Sequence, residues 1–466
     1  MKPINLPMVD SEADFSAIDP LDSRYYDTEI ACYLSERARV AYQAYVEAAL
    51  AHGLAEFGIC SKEIAEQIEE ACGKVSAEDV AEEEKTTKHD IKALVNVIKS
   101  HLNDEAKPYV HFGATSYDIV ATALSLQLRA ATTELVIPRL IELEKTLLNL
   151  TDKYADTVQI GRTHGQHAVP ITFGFAMAEY VSRLGASIRS MQVLSGKLKG
   201  KFSGAVGAYN ALSLFVDDPF KFEQTVLGSL NIEPADYSNQ IVPAENYVRL
   251  LAEYGVSAGI MANLGHDMRH LQRSEIAEVR ETFAEGQTGS STMAHKRNPW
   301  NFENVISMNK QVIAQLVNAN LNLPSEHQRD LTDSASARFY GVVLASVASM
   351  AKRLNDVMSK LEVDTENMQK NLHMSGGAIA AEPLYLLLEK YGHTTAHEVS
   401  RSLAHKAQES GKSLYEMLET FEELGQYFAK FTDAEKDIIR NPEEHYTGLA
   451  AAKARAIHDR WSSEFK

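Results

Sequence analysis

The sequence contains very little cysteine. Cys32, Cys60 and Cys72 are the only three among 466 residues, and no two of them are spaced as a CxxC pair. This number and spacing exclude a disulfide framework and a cysteine-based zinc site. They are typical of a protein that works in a reducing cytoplasm.

The sequence also lacks the segments that direct a chain to a membrane. Its first fifteen residues, MKPINLPMVDSEADF, have no apolar core of the kind found in signal peptides. No apolar run approaches the roughly 20 residues of a membrane span. We therefore expect a cytoplasmic protein with no membrane partner.

Basic residues are fewer than acidic ones, 46 compared with 64, and the formal net charge is -18. A negative surface argues against broad binding to nucleic acid or to anionic membranes. A few clustered Arg and Lys residues are still compatible with a pocket for a small anion.

Apolar and small residues recur along the chain in alternating steps of three and four. Such stripes run over residues 140–150, 250–271 and 343–361. This spacing places one apolar face along each helix and suits packing in a bundle. With 45% hydrophobic residues, the sequence predicts an all-α protein with long helices and a large core.

Two breaks divide the helical pattern, and at this length several domains are expected. Lys107-Pro108, followed by Gly113, is the first, and the run from Met374 to Gly377 is the second. We therefore predict a helical N-terminal domain over 1–111, a central long-helix bundle over 112–372 and a small helical C-terminal domain over 373–466. Long striped helices often pack against other subunits, which favours a homo-oligomer.

Four short segments interrupt this pattern and collect reactive side chains. Residues 286–299 begin as a small, glycine-rich stretch with two serines and end in His, Lys, Arg and Asn, which suits a mobile lid over an anion but also a plain solvated loop. In the segment 161–167, GRTHGQH, the flanking glycines disfavour a helix at His164. An acid–base histidine is favoured there over a metal ligand.

The other two segments precede predicted helices. Thr115 and Ser116 follow His111 in the segment 110–118 and are suited to cap a helix, whose free amides also bind carboxylates. His89 lies in the segment 86–90, before an apolar run. Taken alone it is more often an ordinary helix-start residue than a catalytic one.

Together the four segments resemble the fumarase/aspartase superfamily. The stretch GSSTMAHKRNP over 289–299 is similar to its signature GSSxMPxKxNP, with Ala294 in place of the proline. Ser23-Arg24-Tyr25, Lys88-His89-Asp90, the HFGATSYD stretch from His111, GRTHGQ and the stretch HQRDLTDS from His327 resemble the adenylosuccinate lyase family within it. Gln328 stands where that family usually has a glutamate, and the resemblance spans essentially the whole chain from Arg24.

The resemblance implies a reaction that removes a poorly acidic proton beside a carboxylate and expels a nitrogen with release of fumarate. Ser290 on the loop would be the general base, and His164 the general acid, oriented by Glu303. Lys296 and Asn298 would stabilise the extra charge on the carboxylate electrostatically. His89 would bind and position the substrate, His111 would support the site, and Thr115 and Ser116 would help to hold the succinyl group.

The same resemblance implies a pocket for a nucleotide phosphate, for which the planar fork of arginine is well suited. Its expected residues are Arg24, Tyr25, Arg329, Ser334 and Arg338. Further substrate contacts are expected from Lys88, Asp90, Gln240 and Asn304. No cofactor and no metal ion is implied, since the elimination needs neither an electron sink nor a Lewis acid.

In the family, the segments around Ser290, His164 and His89 come from different subunits. The resemblance therefore implies a homotetramer with shared active sites and a twenty-helix core built from the central domains. Two alternatives remain at this point. One is a sister lyase of the argininosuccinate lyase or carboxymuconate cycloisomerase type, and the other is an inactive structural protein on the same fold.

Overall fold

The computed structural model of the protein describes residues 27–283, 286, 292–293, 295–375 and 377–465. Helices dominate this part of the chain, so the prediction of an all-α protein is confirmed. In chain order they are α1 (Thr28–Leu34), α2 (Glu36–Glu56), α3 (Lys62–Cys72), α4 (Ala77–Thr87), α5 (Asp90–Ser100), α6 (Ser116–Ala130), α7 (Ile137–Lys153), α8 (Phe173–Ser195), α9 (Pro219–Ser229), α10 (Glu245–Leu271), α11 (Trp300–Leu321), α12 (Tyr340–Met358), α13 (Thr365–His373), α14 (Ala381–Lys390), α15 (Ala396–Ser410), α16 (Leu414–Thr420), α17 (Gly425–Phe428), α18 (Asp433–Arg440), α19 (Pro442–His445) and α20 (Ala450–Glu464).

The three apolar stripes found in the sequence coincide with α7, α10 and α12. A π-helical turn, Ala131–Val136, joins α6 to α7. Pro138 is the second residue of α7 and has no backbone N–H, so a regular i→i−4 ladder is not possible there. Among the described residues, no helix combines the length and the apolarity that crossing a membrane requires.

Short strands accompany the helices. An antiparallel hairpin is formed by β1 (Val158–Thr163) and β2 (Gln166–Thr172), and two-residue strands pair as β3 (Lys199–Gly200) with β4 (Glu233–Pro234) and as β5 (Val279–Arg280) with β6 (Glu362–Val363). The sequence pattern predicted helices and no strand, so the hairpin is an addition to that prediction.

The described residues form two compact units, each assembled from three segments of the chain. The first takes its residues from Met1–Leu140, Ser187–Gly259 and Ser307–Lys352. The second takes them from Ile141–Ala186, Ile260–Ile306 and Arg353–Lys466. The division of the sequence into three consecutive domains at 111 and 372 stays a prediction.

The first unit has its core where α2 packs against α3, α6 and α9. Leu50, Ile68 and Phe222 are fully buried in this core. Gly53 permits the close approach of α2 to α9, since a Cβ there would lie 2.3 Å from a methyl group of Val226. This core supports the starts of α5 and α6, where several predicted site residues lie.

The second unit contains an apolar cluster contributed by α14, α15, α16 and α18. Leu384, Leu403 and Leu414 are buried in it. In the same unit, the ring of Trp461 on α20 fills the space beside Gly185 on α8, where a Cβ would lie 2.6 Å from the indole. These contacts fix the positions of the helices that lie next to the hairpin β1–β2.

Candidate active site

The first unit contains a cavity of about 760 Å³. This volume lies within the range of ordinary small-molecule sites, ~300–1,000 Å³. Its wall brings together predicted site residues from four separate stretches of the sequence, namely Lys88, His89, Asp90, Ser116, Gln240, Ser334 and Arg338. Cationic and hydrogen-bonding groups therefore face one cavity, as an anionic ligand requires.

His89 is held in one orientation by its role as the N-cap of α5. Its Nδ1 accepts a hydrogen bond from the backbone N–H of Lys92 at 3.3 Å. In the neutral ring, the hydrogen-bond pattern then assigns the proton to Nε2. Nε2 is then the hydrogen-bond donor of this ring, and the positioning role of His89 stays a prediction.

Ser116 is the first residue of α6, and Thr115 is its N-cap, as the sequence predicted. The Asp118 carboxylate accepts a hydrogen bond from the Thr115 N–H at 2.8 Å and another from Gly204 N–H at 3.2 Å. It also forms an ion pair with Lys201, whose side chain is fully buried. A buried pair of charges therefore anchors the helix start that presents Ser116.

The phosphate-pocket candidates lie around residues 328–338. The backbone N–H of Gln240 donates to the Gln328 carbonyl at 3.2 Å, which places these two segments side by side. The side chain of Arg329 is only 1% exposed and forms an ion pair with Asp333. Arg338 and Ser334, by contrast, are exposed on the cavity wall.

His111 lies elsewhere in the first unit, against a buried carboxylate. Its Nδ1 is 2.7 Å from Oε1 of Glu47, which is completely buried. Burial lowers the pKa of His111, but the charge and hydrogen bond of Glu47 outweigh this and raise it above its ordinary value. The Glu47–His111 pair thus fixes the approach to α6 rather than forming part of the cavity wall.

His164 belongs to the second unit, where it is exposed at the tip of the hairpin β1–β2. His164 and Gly165 form the two-residue connection, with φ of 54° and 74°. Positive φ at both positions is the requirement of a type I′ hairpin turn. The expectation that no regular helix forms at His164 is confirmed.

A buried carboxylate holds the first strand of this hairpin through hydrogen bonds. Glu278 accepts two hydrogen bonds from the Arg162 guanidinium, at 2.5 and 3.2 Å. It also accepts one from Gln159 and one from Asn371, each at 2.7 Å. Glu278 is fully buried, so these four bonds satisfy a charge that would otherwise be strongly destabilising.

Glu281 performs a similar function at the start of α11. Its carboxylate accepts hydrogen bonds from the backbone N–H groups of Asn301 and Phe302 at 3.0 and 3.2 Å, and from the Asn301 side chain at 2.7 Å. Burial raises the pKa of Glu281, although these hydrogen bonds act in the opposite direction. Glu281 precedes the predicted loop and Asn301 follows it, so the two ends of the loop are tied together.

The remaining candidates of the second unit lie at the end of that loop or just after it. Lys296 is exposed, and its backbone N–H donates to the Met293 carbonyl at 3.0 Å. Asn298 and Asn304 are partly buried. Glu303 lies 3.3 Å from Nε of Arg269, and its expected role as the partner of His164 stays a prediction.

Three predicted residues, Ser290, Arg24 and Tyr25, lie outside the described residues. Within the described part, no group of three or more His, Cys, Asp or Glu side chains is arranged to hold a metal ion. The cavity wall combines guanidinium, ammonium, imidazole and hydroxyl groups, which recognise anions, with the carboxylates of Glu36, Glu84, Asp90 and Asp333.

Backbone strain coincides with several site candidates. Lys88, His111, His164 and Arg329 have positive φ, at 52°, 63°, 54° and 136°, although none is glycine. Such conformations cost about 1–3 kcal/mol each and are found preferentially at functional sites. The strain supports a special role for these positions independently of any sequence motif.

Sequence reasoning missed the residues that hold the candidates in place. Glu47, Asp118, Lys201, Glu278 and Glu281 are all buried and charged. Asp118 occurs in a recognised segment, but its partner Lys201 carries no local signal. A charged residue inside an apolar helical stripe, such as Glu47, is the one feature that could have indicated a buried pair.

Comparison with known proteins gives consistent matches over nearly the full length. The family described as "Lyase" matches residues 23–314, and the family described as "Adenylosuccinate lyase C-terminal" matches residues 325–431. The chain is 38% identical over 443 residues to an adenylosuccinate lyase of Pyrococcus horikoshii, a match that covers 93% of this chain and 96% of that protein. It is 33% identical to an adenylosuccinate lyase of Methanocaldococcus jannaschii, over 93% of this chain and 94% of that protein.

A solved structure is similar in fold. The 3-carboxy-cis,cis-muconate lactonizing enzyme from Pseudomonas putida matches with a TM-score of 0.83 at 28% identity. The match covers 96% of this chain and 100% of that one.

Proposed function

The chain belongs to the adenylosuccinate lyase family, and we propose that it eliminates fumarate from adenylosuccinate to give AMP, in active sites shared between subunits. Enzymes of this kind are fumarate-releasing carbon–nitrogen lyases. We expect the same elimination from the succinyl-aminoimidazole-carboxamide ribotide. The enzyme would then catalyse two steps of purine biosynthesis. We propose a cytoplasmic location for it.

The observation that carries the proposal is the composition of the cavity in the first unit. Lys88 and His89 lie on its wall together with Ser116 at a helix N-terminus and with Arg338. A succinyl-purine nucleotide carries two carboxylates and a phosphate, so it needs donors and cations at more than one point of the cavity. Each of these residues also lies in a segment that resembles the family.

The proposed base is Ser290, which acts as an alkoxide stabilised by nearby positive charge once the loop has closed and water is excluded. It removes the proton from the succinyl carbon beside a carboxylate. Lys296 and Asn298 stabilise the charge that develops on that carboxylate, which is an electrostatic contribution to the transition state. The Glu281–Asn301 contacts support this proposal, because they hold the two ends of the loop at a constant position.

The proposed general acid is His164, which protonates the leaving nitrogen. A positioned acid of this kind contributes roughly 100- to 10,000-fold to a rate. Its exposed position at the tip of a clamped hairpin is suited to donation into a site formed with a neighbouring subunit. Glu303 orients the imidazole, and its present contact with Arg269 is between two exposed side chains that can separate easily.

The nucleotide phosphate is held by Arg24, Tyr25, Arg329, Ser334 and Arg338 in this proposal, and Thr115, Gln240 and Asn304 contribute further contacts. Arg329 is paired with Asp333, so its guanidinium must exchange this carboxylate for the phosphate or act through Asp333. Lys88 and Asp90 flank His89 and complete the wall around the succinyl group.

A homotetramer with a twenty-helix core is part of the proposal. Apolar side chains are exposed along α10 and α11, for example Val256, Ile313, Val317 and Leu321, the last of which is 73% exposed. Exposed apolar faces on long helices favour burial against other subunits. Such an assembly would bring the Ser290, His164 and His89 segments of different subunits together.

The decisive experiment mixes the purified enzyme with adenylosuccinate and follows the ultraviolet absorbance of the substrate over time. Conversion to AMP and fumarate is expected. The likeness to the Pseudomonas putida enzyme favours a lactonizing activity as the second candidate, so 3-carboxy-cis,cis-muconate is tested next if no conversion occurs. Argininosuccinate, malate and aspartate follow, and inertness toward all of them in a folded oligomer would contradict an enzymatic role.

A further inference from the structure

A network of three charged side chains lies on the cavity wall of the first unit, and two of them, Glu36 and Arg39, have no role in the mechanism above. It consists of Glu36, Arg39 and Arg338. The Arg39 Nε donates to Glu36 Oε2 at 3.0 Å, and its Nη2 contacts the other carboxylate oxygen. The Arg338 Nη1 lies 3.9 Å from Glu36 Oε2, so two guanidinium groups share one carboxylate.

The side chains of Arg39 and Glu36 differ in how much of each is exposed to solvent. Arg39 is 21% exposed, and its Nη1 also lies 3.8 Å from a carboxylate oxygen of Asp90, beside His89. Glu36 is 59% exposed and can turn into solvent without leaving a buried charge behind. The hydrogen bond from Arg39, with the charges of Arg39 and Arg338, holds the pKa of Glu36 below its ordinary value, so Glu36 is an anion at neutral pH.

Charge and geometry favour a phosphate over this carboxylate as the partner of the two arginines. Glu36 offers one negative charge, whereas a phosphate monoester carries about −1.5 to −2 and presents three acceptor oxygens. Two guanidinium forks can each pair with two of these oxygens. Glu36 is also the first residue of the 21-residue helix α2, whose N-terminus, capped by Ser35, adds positive potential to the same wall.

We propose that Arg39 is a further phosphate-binding residue of this site, and that Glu36 is an internal competitor which the phosphate displaces from Arg39 and Arg338. The inference rests on the proposed function, because it assigns the phosphate to the nucleotide substrate and its AMP product. Binding of the phosphate exchanges one anion for a more highly charged one at the two guanidinium groups. The exchange selects phosphorylated nucleotides over nucleosides.

The test measures the affinity of the full-length oligomer for AMP and for adenosine by titration calorimetry, in the wild type and in three variants. Arg39→Gln is expected to weaken AMP binding by about tenfold or more, the size of one lost charge-assisted contact. Glu36→Gln is expected to tighten AMP binding severalfold, because the competing charge is gone. Adenosine affinity should be the same in all four proteins.

Arg37→Gln is the matched control. Arg37 lies on the same turn of α2, but its guanidinium is exposed and pairs with Glu78, outside the cavity wall. Equal AMP affinities for the Arg39→Gln and Arg37→Gln variants would overturn the inference. So would a Glu36→Gln variant that binds AMP more weakly than the wild type, because that result would make Glu36 a support for Arg39.

Failure of the proposed function gives a different combination of results for the turnover of adenylosuccinate and the affinity for AMP. A wild type that does not convert adenylosuccinate, yet binds AMP in a manner that depends on Arg39, contradicts the reaction and leaves the phosphate residue in place. A wild type that converts adenylosuccinate, with Arg39→Gln and Arg37→Gln equal in AMP affinity, contradicts only the assignment of Arg39.

Discussion

Glu278 holds Arg162 through both of its carboxylate oxygens, at 2.5 and 3.2 Å, although the two residues are 116 positions apart in the sequence. Arg162 lies two residues before His164, on the first strand of the hairpin. The strand that leads to the proposed general acid is therefore anchored by a buried charge on a different segment of the same unit. This dependence can be tested by removing the charge and keeping the shape.

Glu278→Gln is expected to destabilise the fold by about 3 kcal/mol or more, because it leaves the Arg162 guanidinium buried and without its counter-charge. The turnover number should also fall, since the hairpin that carries His164 loses its clamp. Thermal unfolding and steady-state kinetics measure the two effects. The control is Glu275→Gln, in an exposed pair with Arg273 nearby, which is expected to leave the stability almost unchanged because exposed ion pairs contribute little. Similar losses in both variants would contradict the clamp.

Glu144 on α7 provides a prediction about pH. Its side chain is completely buried, neither carboxyl oxygen has a hydrogen-bond partner among the described residues, and burial raises its pKa to about 9. The unfolded chain ionises this group near pH 4.5, whereas the folded protein keeps it protonated up to about pH 9. Ionisation of the unfolded state therefore lowers the stability of the fold progressively as the pH rises between these two values.

Glu144→Gln should remove this pH-dependent loss. The expected gain is about 3 kcal/mol at pH 7, from 1.36 kcal/mol for each unit between the two pKa values, and it should shrink toward zero near pH 4.5. Denaturant unfolding at pH 5 and pH 8 measures it. Glu142→Gln, which changes an exposed carboxylate on the same helix, is the matched control. A gain that is equal at both pH values would refute the explanation by ionisation.

Ser290→Ala is expected to abolish turnover while adenylosuccinate still binds, because the variant loses only the proposed base. His164→Ala should reduce the turnover number by roughly 100- to 10,000-fold. His167→Ala is a useful control on the same hairpin, since its ring is 3.0 Å from the Ser375 hydroxyl and has no proposed role in the reaction. Near-normal activity of the Ser290→Ala variant would remove this residue from the role of base.

Shared active sites predict complementation between inactive variants. Ser290→Ala and His164→Ala subunits, mixed and reassembled, should regain part of the wild-type activity, because some sites then receive an intact serine from one subunit and an intact histidine from another. Activity is measured after subunit exchange has been demonstrated with labelled chains. Complete exchange without any recovery would show that both residues of a site come from the same subunit.

Local patterns in the sequence were sufficient to predict the helices and the family. The stripes that became α7, α10 and α12 are visible because helical periodicity is a property of neighbouring residues. The start of α6 at Ser116 was predicted for the same reason, from a capping residue before a helix. The family followed from short segments whose residue types and spacing are specific to its chemistry.

Only the tertiary structure decided which of these segments meet and what holds them. The hairpin of residues 158–172 was missed, although His164-Gly165 between strand-forming residues is a turn signal, and its stability depends on Glu278 far along the chain. Arg39 and Arg338 are almost 300 residues apart, and nothing in either sequence neighbourhood indicates that both contact Glu36. The physical reason is that buried ion pairs and cavities arise from contacts between distant segments. A pattern that extends over one helix contains no information about the partner that packs against it.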